Sequence, residues 1–191
     1  MASSHDLVLT TVPGGNALSP FRAAALLARL QRVVPGLTAV SARHVHWVAS
    51  EADLDEATRA TVERLLTYGT PYTGDAVGAH VATVVVAPRL GTLSPWASKA
   101  TDIAHNCGVD VRRVERVTEY LLAADEPFAE EQWATCADLL HDRMTETALP
   151  TRADAAALFD ERDAEPMEHV DVLGRGRVAI EEAVCLSLIH I

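Results

Sequence analysis

Residue types that mark several specialised protein classes are scarce in this chain of 191 residues. Its three cysteines, Cys107, Cys136 and Cys185, are widely spaced and form no Cys-x-x-Cys pair. This spacing excludes a disulfide framework and fits a reducing compartment. Aromatic residues make up only 5% of the chain, no basic run is present, and the net charge is -11. A nucleic-acid partner is therefore not expected.

Long apolar runs are missing as well. No stretch reaches the ~18 uninterrupted apolar residues of a membrane span, so no membrane partner is expected. The start of the chain, Met1 to Leu9, lacks the basic and apolar regions of a secretory signal. These absences predict a cytoplasmic protein. Lysine is also nearly absent: the chain has one lysine, Lys99, and fifteen arginines.

The residues that are present predict alternating strands and helices in a soluble globular protein, with 49% apolar and 23% charged residues. Strand patterns cover residues 6–12, 38–49 and 81–87. Residues 110–122 are ambiguous, because their apolar spacing is near that of a helix while their β-branched content favours a strand, which we adopt. Helix starts are indicated by Ser19-Pro20, by Asp53 with Glu56 three residues later, by Ser94-Pro95, and before the amphipathic stretch 129–148. That last helix would align Trp133, Ala137, Leu140, Met144 and Ala148.

This order predicts an α+β fold with ferredoxin-like β-α-β units, a mainly antiparallel sheet and helices on one face. We assign residues 1–149 to this domain, although the sequence shows no internal repeat by eye. Residues 150–169 read as a linker, with a short helix at 154–160. Residues 170–183 read as the start of a helical domain, and 184–191 as a tail that does not continue its pattern.

The most informative segment runs from Arg89 to Gly108. Ser94 is a favoured N-cap, Pro95 suits the first helical position, and Gly108 is a favoured stop. The spacing predicts that one apolar face is buried, formed by Trp96, Ala100, Ile103, Ala104 and Cys107. The opposite side is rich in polar groups, namely Ser98, Lys99, Thr101, Asp102, His105 and Asn106.

The segment Arg89 to Gly108 closely resembles a stretch near the N-terminus of the long, single-chain form of phosphoribosylformylglycinamidine synthase. Leu90 and Ala97 depart from the usual family residues, which are Pro and Ser. Weaker similarity covers 139–147 and 170–177, and the resemblance spans about Ala17 to Ala183. It implies a domain similar to a fused pair of the small separate subunits of the split bacterial enzyme.

The resemblance also implies a function for the parent protein, a C–N ligase of purine biosynthesis. That enzyme converts formylglycinamide ribonucleotide, ATP and glutamine to formylglycinamidine ribonucleotide, ADP, phosphate and glutamate. Its ATP and Mg²⁺ sites, its glutaminase residues and its Asn-Ser-Glu-His-Cys motif lie in later domains of the family. None of these motifs occurs in this chain. No catalytic, cofactor or metal residue is therefore assigned here, and the isolated chain is expected to be non-catalytic.

Other chemistries are poorly supported by the residues. Ser98, Asp102 and His105 lie on one helix, but Asp102 falls between the other two, whereas a triad needs the imidazole in the centre. His44 and His46 on one side of a strand would bind zinc only with a third ligand. Gly174 to Arg177 lacks the remaining features of a phosphate-binding loop.

Three hypotheses follow. The first is a scaffold that couples the synthetase and glutaminase domains of the same parent chain. The candidate domain-interface residues are Ser94, Trp96, Ser98, Lys99, Thr101, Asp102, His105 and Asn106. The second is a free-standing adaptor for separate synthetase and glutaminase chains. The third is a small metalloenzyme that uses His44 and His46.

Overall fold

The computed structural model of the chain describes residues 7–74, 76–160 and 169–189, with side chains described as far as residue 184. Two compact units divide the chain, Met1–Glu161 and Arg162–Ile191. The first contains a five-stranded sheet. Its strands are β1 (Val8–Asn16), β2 (Leu37–Ser50), β3 (His80–Pro88), β4 (Arg113–Ala124) and β5 (Glu146–Leu149).

The sheet order is β1-β2-β4-β3-β5, and every neighbouring pair is antiparallel. The long strands β2 and β4 form its centre, with Val45 opposite Val117. Side chains alternate between the two faces of a strand, so this register determines which residues lie together. The α+β class and the antiparallel sheet predicted from the sequence are confirmed.

Four helices follow strands in turn and pack on the same face of the sheet. They are α1 (Pro20–Leu30), α2 (Glu56–Leu66), α3 (Pro95–Asn106) and α4 (Glu130–Leu140). Helices α1 and α4 pack over one apolar cluster around Leu122, and helices α2 and α3 over another around Val48. The topology β-α-β-α thus occurs twice. The two halves share little visible sequence similarity. The exception is a Ser-Pro pair followed by an aromatic residue, which begins at Ser19 and again at Ser94.

Two helix boundaries differ from the prediction. Helix α2 is capped by Asp55 and not by Asp53, because the Asp55 side chain accepts the Thr58 N–H at 2.7 Å. Helix α4 ends at Leu140, because Asp142 starts a turn by accepting the Met144 N–H on its side chain. Met144 is consequently 76% exposed, and Ala148 lies in β5 opposite Val86.

Within the predicted linker 150–169, the structure has a short helix close to the one expected at 154–160. A 3₁₀ helix, Ala153–Phe159, belongs to the first compact unit and covers the sheet face opposite the four helices. Its residues Ala155, Leu158 and Phe159 are buried against a cluster that includes Trp47 and Val117. Few large apolar residues occur in this segment, but these three side chains are enough to cover that part of the sheet surface. Residues 161–168 lie outside the described part of the chain.

The second unit contains α5 (Val172–Arg175) and α6 (Arg177–Ile189). The helix expected from residue 170 is interrupted at Gly176, which has a φ of +57° that favours glycine. Helix α6 continues through Val184 to Ile189, although the sequence pattern suggested that the tail departs from it. The last two residues of that tail lie outside the described residues. Among the described helices, none combines the length and apolar character that crossing a membrane requires.

Candidate functional site: helix α3 and its surroundings

Helix α3 is held at its first turn by Ser94. The Ser94 Oγ accepts the Ala97 N–H at 2.9 Å and donates to Glu115 Oε2 at 3.2 Å. Pro95 occupies the first helical position, as the sequence predicts. The N-terminus of α3 is therefore joined to a side chain of β4 that is completely buried.

The other end of α3 closes with paired backbone hydrogen bonds. The Gly108 N–H donates to the His105 carbonyl at 2.9 Å, and the Val109 N–H donates to the Ala104 carbonyl at 3.0 Å. This is the Schellman pattern, and Gly108 adopts the φ of +75° that it requires. Ala104 and Val109 are buried in one apolar cluster, so the helix end is fixed by both packing and hydrogen bonds.

The buried face of α3 agrees only in part with the one that the apolar spacing predicts: Trp96, Ala100 and Ala104 pack on the core, but the face is rotated away from Ile103 and Cys107. Ala97 and Ala104 are buried, whereas Ile103 is 45% exposed and Cys107 is exposed. Small alanines let the helix approach the sheet closely. In this orientation the Thr101 Oγ1 accepts the Val114 N–H at 2.9 Å, at a position of β4 beyond the residues that pair with β3.

The eight candidate interface residues separate into two groups. Four hold α3 on the domain. Ser94 and Thr101 bind β4 as described, Trp96 is half-buried beside it, and the His105 Nε2 donates to the Val111 carbonyl at 2.7 Å. The other four, Ser98, Lys99, Asp102 and Asn106, are exposed and make no side-chain contact with the rest of the domain beyond α3 among the described hydrogen bonds, whereas His105 is exposed but bonded.

A compact cluster of polar and aromatic side chains packs against Trp96. His46 is completely buried, its ring stacks on Trp96 with centroids 5.6 Å apart, and its Nε2 lies 2.8 Å from the Tyr68 hydroxyl. The Arg116 guanidinium lies over the Trp96 ring at 4.8 Å and donates to the Tyr68 hydroxyl at 3.2 Å. Sequence reasoning missed Tyr68 and Arg116, because they come from a loop and a strand far apart in the chain.

The histidines of this cluster are held neutral. Burial lowers the pKa of His46 to about 4, aided by the charges of His44 and Arg116. Burial and the charge of Arg116 lower the pKa of His44 to about 4 as well. Arg116 lies opposite His46 on β4, where it would repel a metal cation. Within the described ranges, no group of three His, Cys, Asp or Glu side chains is arranged to bind a metal, so the zinc hypothesis gains no support.

An apolar cavity of about 200 Å³ opens between α2 and α3. Val62, Leu66 and Val114 contribute to its lining, with Trp96, Tyr68 and Lys99 beside them. On the other side of α3, Ser98 and Asp102 border a groove that also contains Arg113 and Phe159. The exposed polar side of α3 thus lies between two surface depressions.

Two buried carboxylates of β4 were also missed from the sequence. Glu115 is bound by Arg113 and Ser94, and Glu119 is bound by Arg43 at 2.6 Å and by Arg152 at 2.7 Å. Burial by itself would raise the pKa of Glu119, but the hydrogen bonds and charges of the two arginines hold it below its usual value. The sequence does contain a signal for the two carboxylates. Arg113, Glu115 and Glu119 are separated by even numbers of residues, which places the three side chains on one face of β4.

The geometry gives no support to a triad on α3. His105 donates to the Val111 carbonyl and Ser98 donates to the Ser94 carbonyl at 3.3 Å, so neither bonds to Asp102. The arginines of the Gly174 to Arg177 segment form ion pairs on the helix surface, Arg175 with Glu182 and Arg177 with Glu181. That arrangement fits solvated helix faces.

A comparison with known protein families identifies the family of the domain that contains helix α3. Residues 43–159, more than half of the chain, match the model of the family described as formylglycinamide ribonucleotide amidotransferase N-terminal. The chain belongs to this family. The match includes helix α3, both buried carboxylates and the 3₁₀ helix.

Proposed function

From this family membership, we propose that the chain is the N-terminal scaffold of formylglycinamidine ribonucleotide synthase and couples its synthetase and glutaminase domains. In this proposal the parent enzyme aminates formylglycinamide ribonucleotide with ammonia from glutamine and uses ATP and Mg²⁺. Those reactions take place in the other domains of the enzyme, in the cytoplasm. This chain orients those domains relative to one another.

The observation that carries the proposal is the way in which α3 is mounted. Ser94 and Thr101 bind the helix to β4 at its start and middle, and His105 binds its end to the Val111 carbonyl just before β4. The exposed residues Lys99, Asp102 and Asn106 take part in none of these fold contacts. A rigid helix that presents unused polar groups is suited to binding another protein surface, because its backbone is already ordered before binding.

The charges on α3 make the contact selective. Lys99 is the single lysine of the chain, and Asp102 lies three residues later on the same exposed side. A complementary surface would need an acidic group opposite Lys99 and a donor opposite Asp102. Such pairs contribute to orientation and specificity of docking.

The experiment uses the full-length enzyme with Lys99→Ala combined with Asp102→Ala. We expect the glutamine-dependent rate of product formation to fall about tenfold or more, while the rate with added ammonia is retained. Excess glutamate per product formed would show that ammonia is lost between the domains. Arg59→Ala with Glu63→Ala provides a matched control, because both residues are exposed on α2. An unchanged glutamine-dependent rate in the α3 variant would overturn the proposed role of this helix.

A further inference from the structure

The outward face of α1 is unusually apolar for an exposed helix. Leu26, Leu27 and Leu30 pack toward the core, and Leu30 is fully buried. On the opposite side Phe21 is 83% exposed, and the neighbouring exposed positions of that face are small. They are Ala24, Ala25 and Ala28. At about 100° per residue these positions share one face with Phe21, where a surface helix usually carries polar residues.

The charged residues in this part of the sequence have a single sign. Residues 7–50 contain four arginines and no aspartate or glutamate, in a chain whose net charge is -11. Three of the arginines, Arg22, Arg29 and Arg32, are exposed on α1 and the turn that follows it. Within the part of the chain that the structure describes, none of these three forms an ion pair.

Helix stability alone does not explain these arginines. Arg29 lies in the last turn of α1, where a cation stabilises the helix dipole, but Arg22 lies in the first turn, where a cation is unfavourable. Arg22 also follows Phe21 directly. The combination of an exposed phenyl ring and uncompensated positive charge indicates a surface that binds something acidic and apolar.

The internal repeat provides an independent comparison. Phe21 and Trp96 occupy the same place after the Ser-Pro caps of α1 and α3. Trp96 stacks on the His46 ring and lies under the Arg116 guanidinium, and Tyr68 lines the same cavity beside it. Phe21 has no ring partner or cation above it among the described residues. The aromatic side chain after the cap therefore packs against residues of the domain in α3 but is uncovered in α1.

We propose that the outer face of α1 binds an acidic amphipathic helix of the synthetase–glutaminase part of the enzyme. This inference rests on the proposed function and adds a second contact, separate from α3. The partner helix would place an aliphatic stripe over Ala25 and Ala28, beside Phe21, and acidic residues against Arg22 and Arg29. Small residues on α1 allow the close interaxial distance of packed helices, about 8–10 Å.

Charge argues against a second copy of this chain as the occupant. In an antiparallel contact between two α1 helices, Arg22 of one copy would lie near Arg29 of the other. Like charges that face one another oppose such a contact. An acidic partner turns the same arginines into favourable interactions.

The test measures the affinity of the full 191-residue chain for the synthetase and glutaminase portions, produced together as a separate polypeptide. Phe21→Ala is expected to raise the Kd about tenfold, since an exposed aromatic anchor is the kind of residue that dominates an interface. Arg22→Glu combined with Arg29→Glu should raise the Kd similarly at low salt. It should also reverse the salt dependence of the Kd, because glutamates that face an acidic partner repel it most strongly at low salt.

Two matched variants serve as controls. Met144→Ala removes an exposed apolar side chain elsewhere, and Arg59→Glu reverses an exposed charge on α2. Both should bind as the unmodified chain does. Thermal unfolding of every variant checks that the domain is intact, and amide hydrogen exchange should show protection of α1 in the complex.

The outcomes separate the two proposals. If the α1 variants bind like the unmodified chain while Lys99→Ala with Asp102→Ala weakens binding, the α1 inference is wrong and the scaffold proposal stands. If the unmodified chain does not bind the partner polypeptide, both fail. Self-association of the chain that Phe21→Ala abolishes would also overturn the inference, because it identifies a second copy as the occupant.

Discussion

The Ser94 hydroxyl donates to the buried Glu115 carboxylate at 3.2 Å while it caps α3. The same carboxylate accepts hydrogen bonds from Arg113, whose guanidinium also donates to the carbonyls of Thr92 and Leu158, each at 2.9 Å. One ion pair thus joins the loop before α3, the first turn of α3 and the 3₁₀ helix. The relative positions of these three segments depend on Glu115.

Replacing Glu115 with alanine should therefore be strongly destabilising. The change leaves the largely buried Arg113 without its carboxylate and Ser94 without an acceptor. Breaking a buried pair in this way costs about 3 kcal/mol or more, and we expect a correspondingly lower midpoint in chemical unfolding. Glu131→Ala on the exposed side of α4 is the control and should change stability by less than about 0.5 kcal/mol. Equal unfolding midpoints for the two variants would contradict this role of Glu115.

Thr101 should contribute to stability through a single hydrogen bond. Thr101→Val keeps the shape of the side chain but leaves the Val114 N–H without its acceptor, at a cost of about 1–2 kcal/mol. Ser98→Ala, one turn away on the exposed side, should be nearly neutral. Urea unfolding of both variants measures the difference. A neutral Thr101→Val would mean that water replaces the hydroxyl at this N–H.

The contribution of Glu119 to stability should depend on pH with a defined sign. Arg152 and Arg43 hold its pKa below the ordinary 4.5 in the folded protein. The stabilisation is therefore fully present above about pH 4.5 and is lost as the pH falls through the folded-state pKa.

Unfolding free energies of the unmodified chain and Glu119→Gln, measured between pH 3 and 7, test this dependence. Their difference should be constant at the upper end and shrink toward the lower end. A difference that grows on acidification would show that the pKa of Glu119 is raised in the folded protein.

His44 and His46 should make the domain sensitive to mild acid. Their pKa values are lowered from 6.5 to about 4, so below pH 6.5 the unfolded chain binds protons that the folded chain excludes. Stability should accordingly decrease as the pH falls from about 6.5 to 4. His46→Gln should reduce this decrease, whereas replacing exposed His80 by glutamine should leave it unchanged. NMR titration of the imidazole resonances reports the two pKa values directly, and values near 6.5 would contradict the prediction.

The sequence predicts the helix starts better than it predicts which side of a helix is buried. Ser19 and Ser94 cap their helices as expected, because capping is a local interaction between a side chain and the next turn. The buried side of α3 was predicted only in part. Ala104 is buried as expected, but Ala97 is buried and Thr101 bonds to β4 as well, whereas Ile103 is exposed. Which side of α3 is buried depends on the distance between β4 and α3, and no local sequence pattern encodes that distance.

The end of α4 shows the same limit. Met144 and Ala148 continue the helical spacing of Trp133, so periodicity favoured one long helix. The turn at Asp142 and the pairing of Ala148 with Val86 of β3 divide that stretch between a helix and a strand. Pairing with a distant strand outweighs local periodicity when it satisfies a row of backbone groups.

By itself the sequence determined the class of the fold, the order of the first four strands and the four helices, the caps of α1 and α3, and the resemblance that the family match supports. These features follow from local patterns and from a long motif. Only the tertiary structure decided that Tyr68, Trp96, Arg116 and His46 form one cluster, that Glu115 joins α3 to the 3₁₀ helix, and that Phe21 is exposed while Trp96 is covered. The physical reason is that such contacts join residues far apart in the chain, so they depend on strand register and helix rotation.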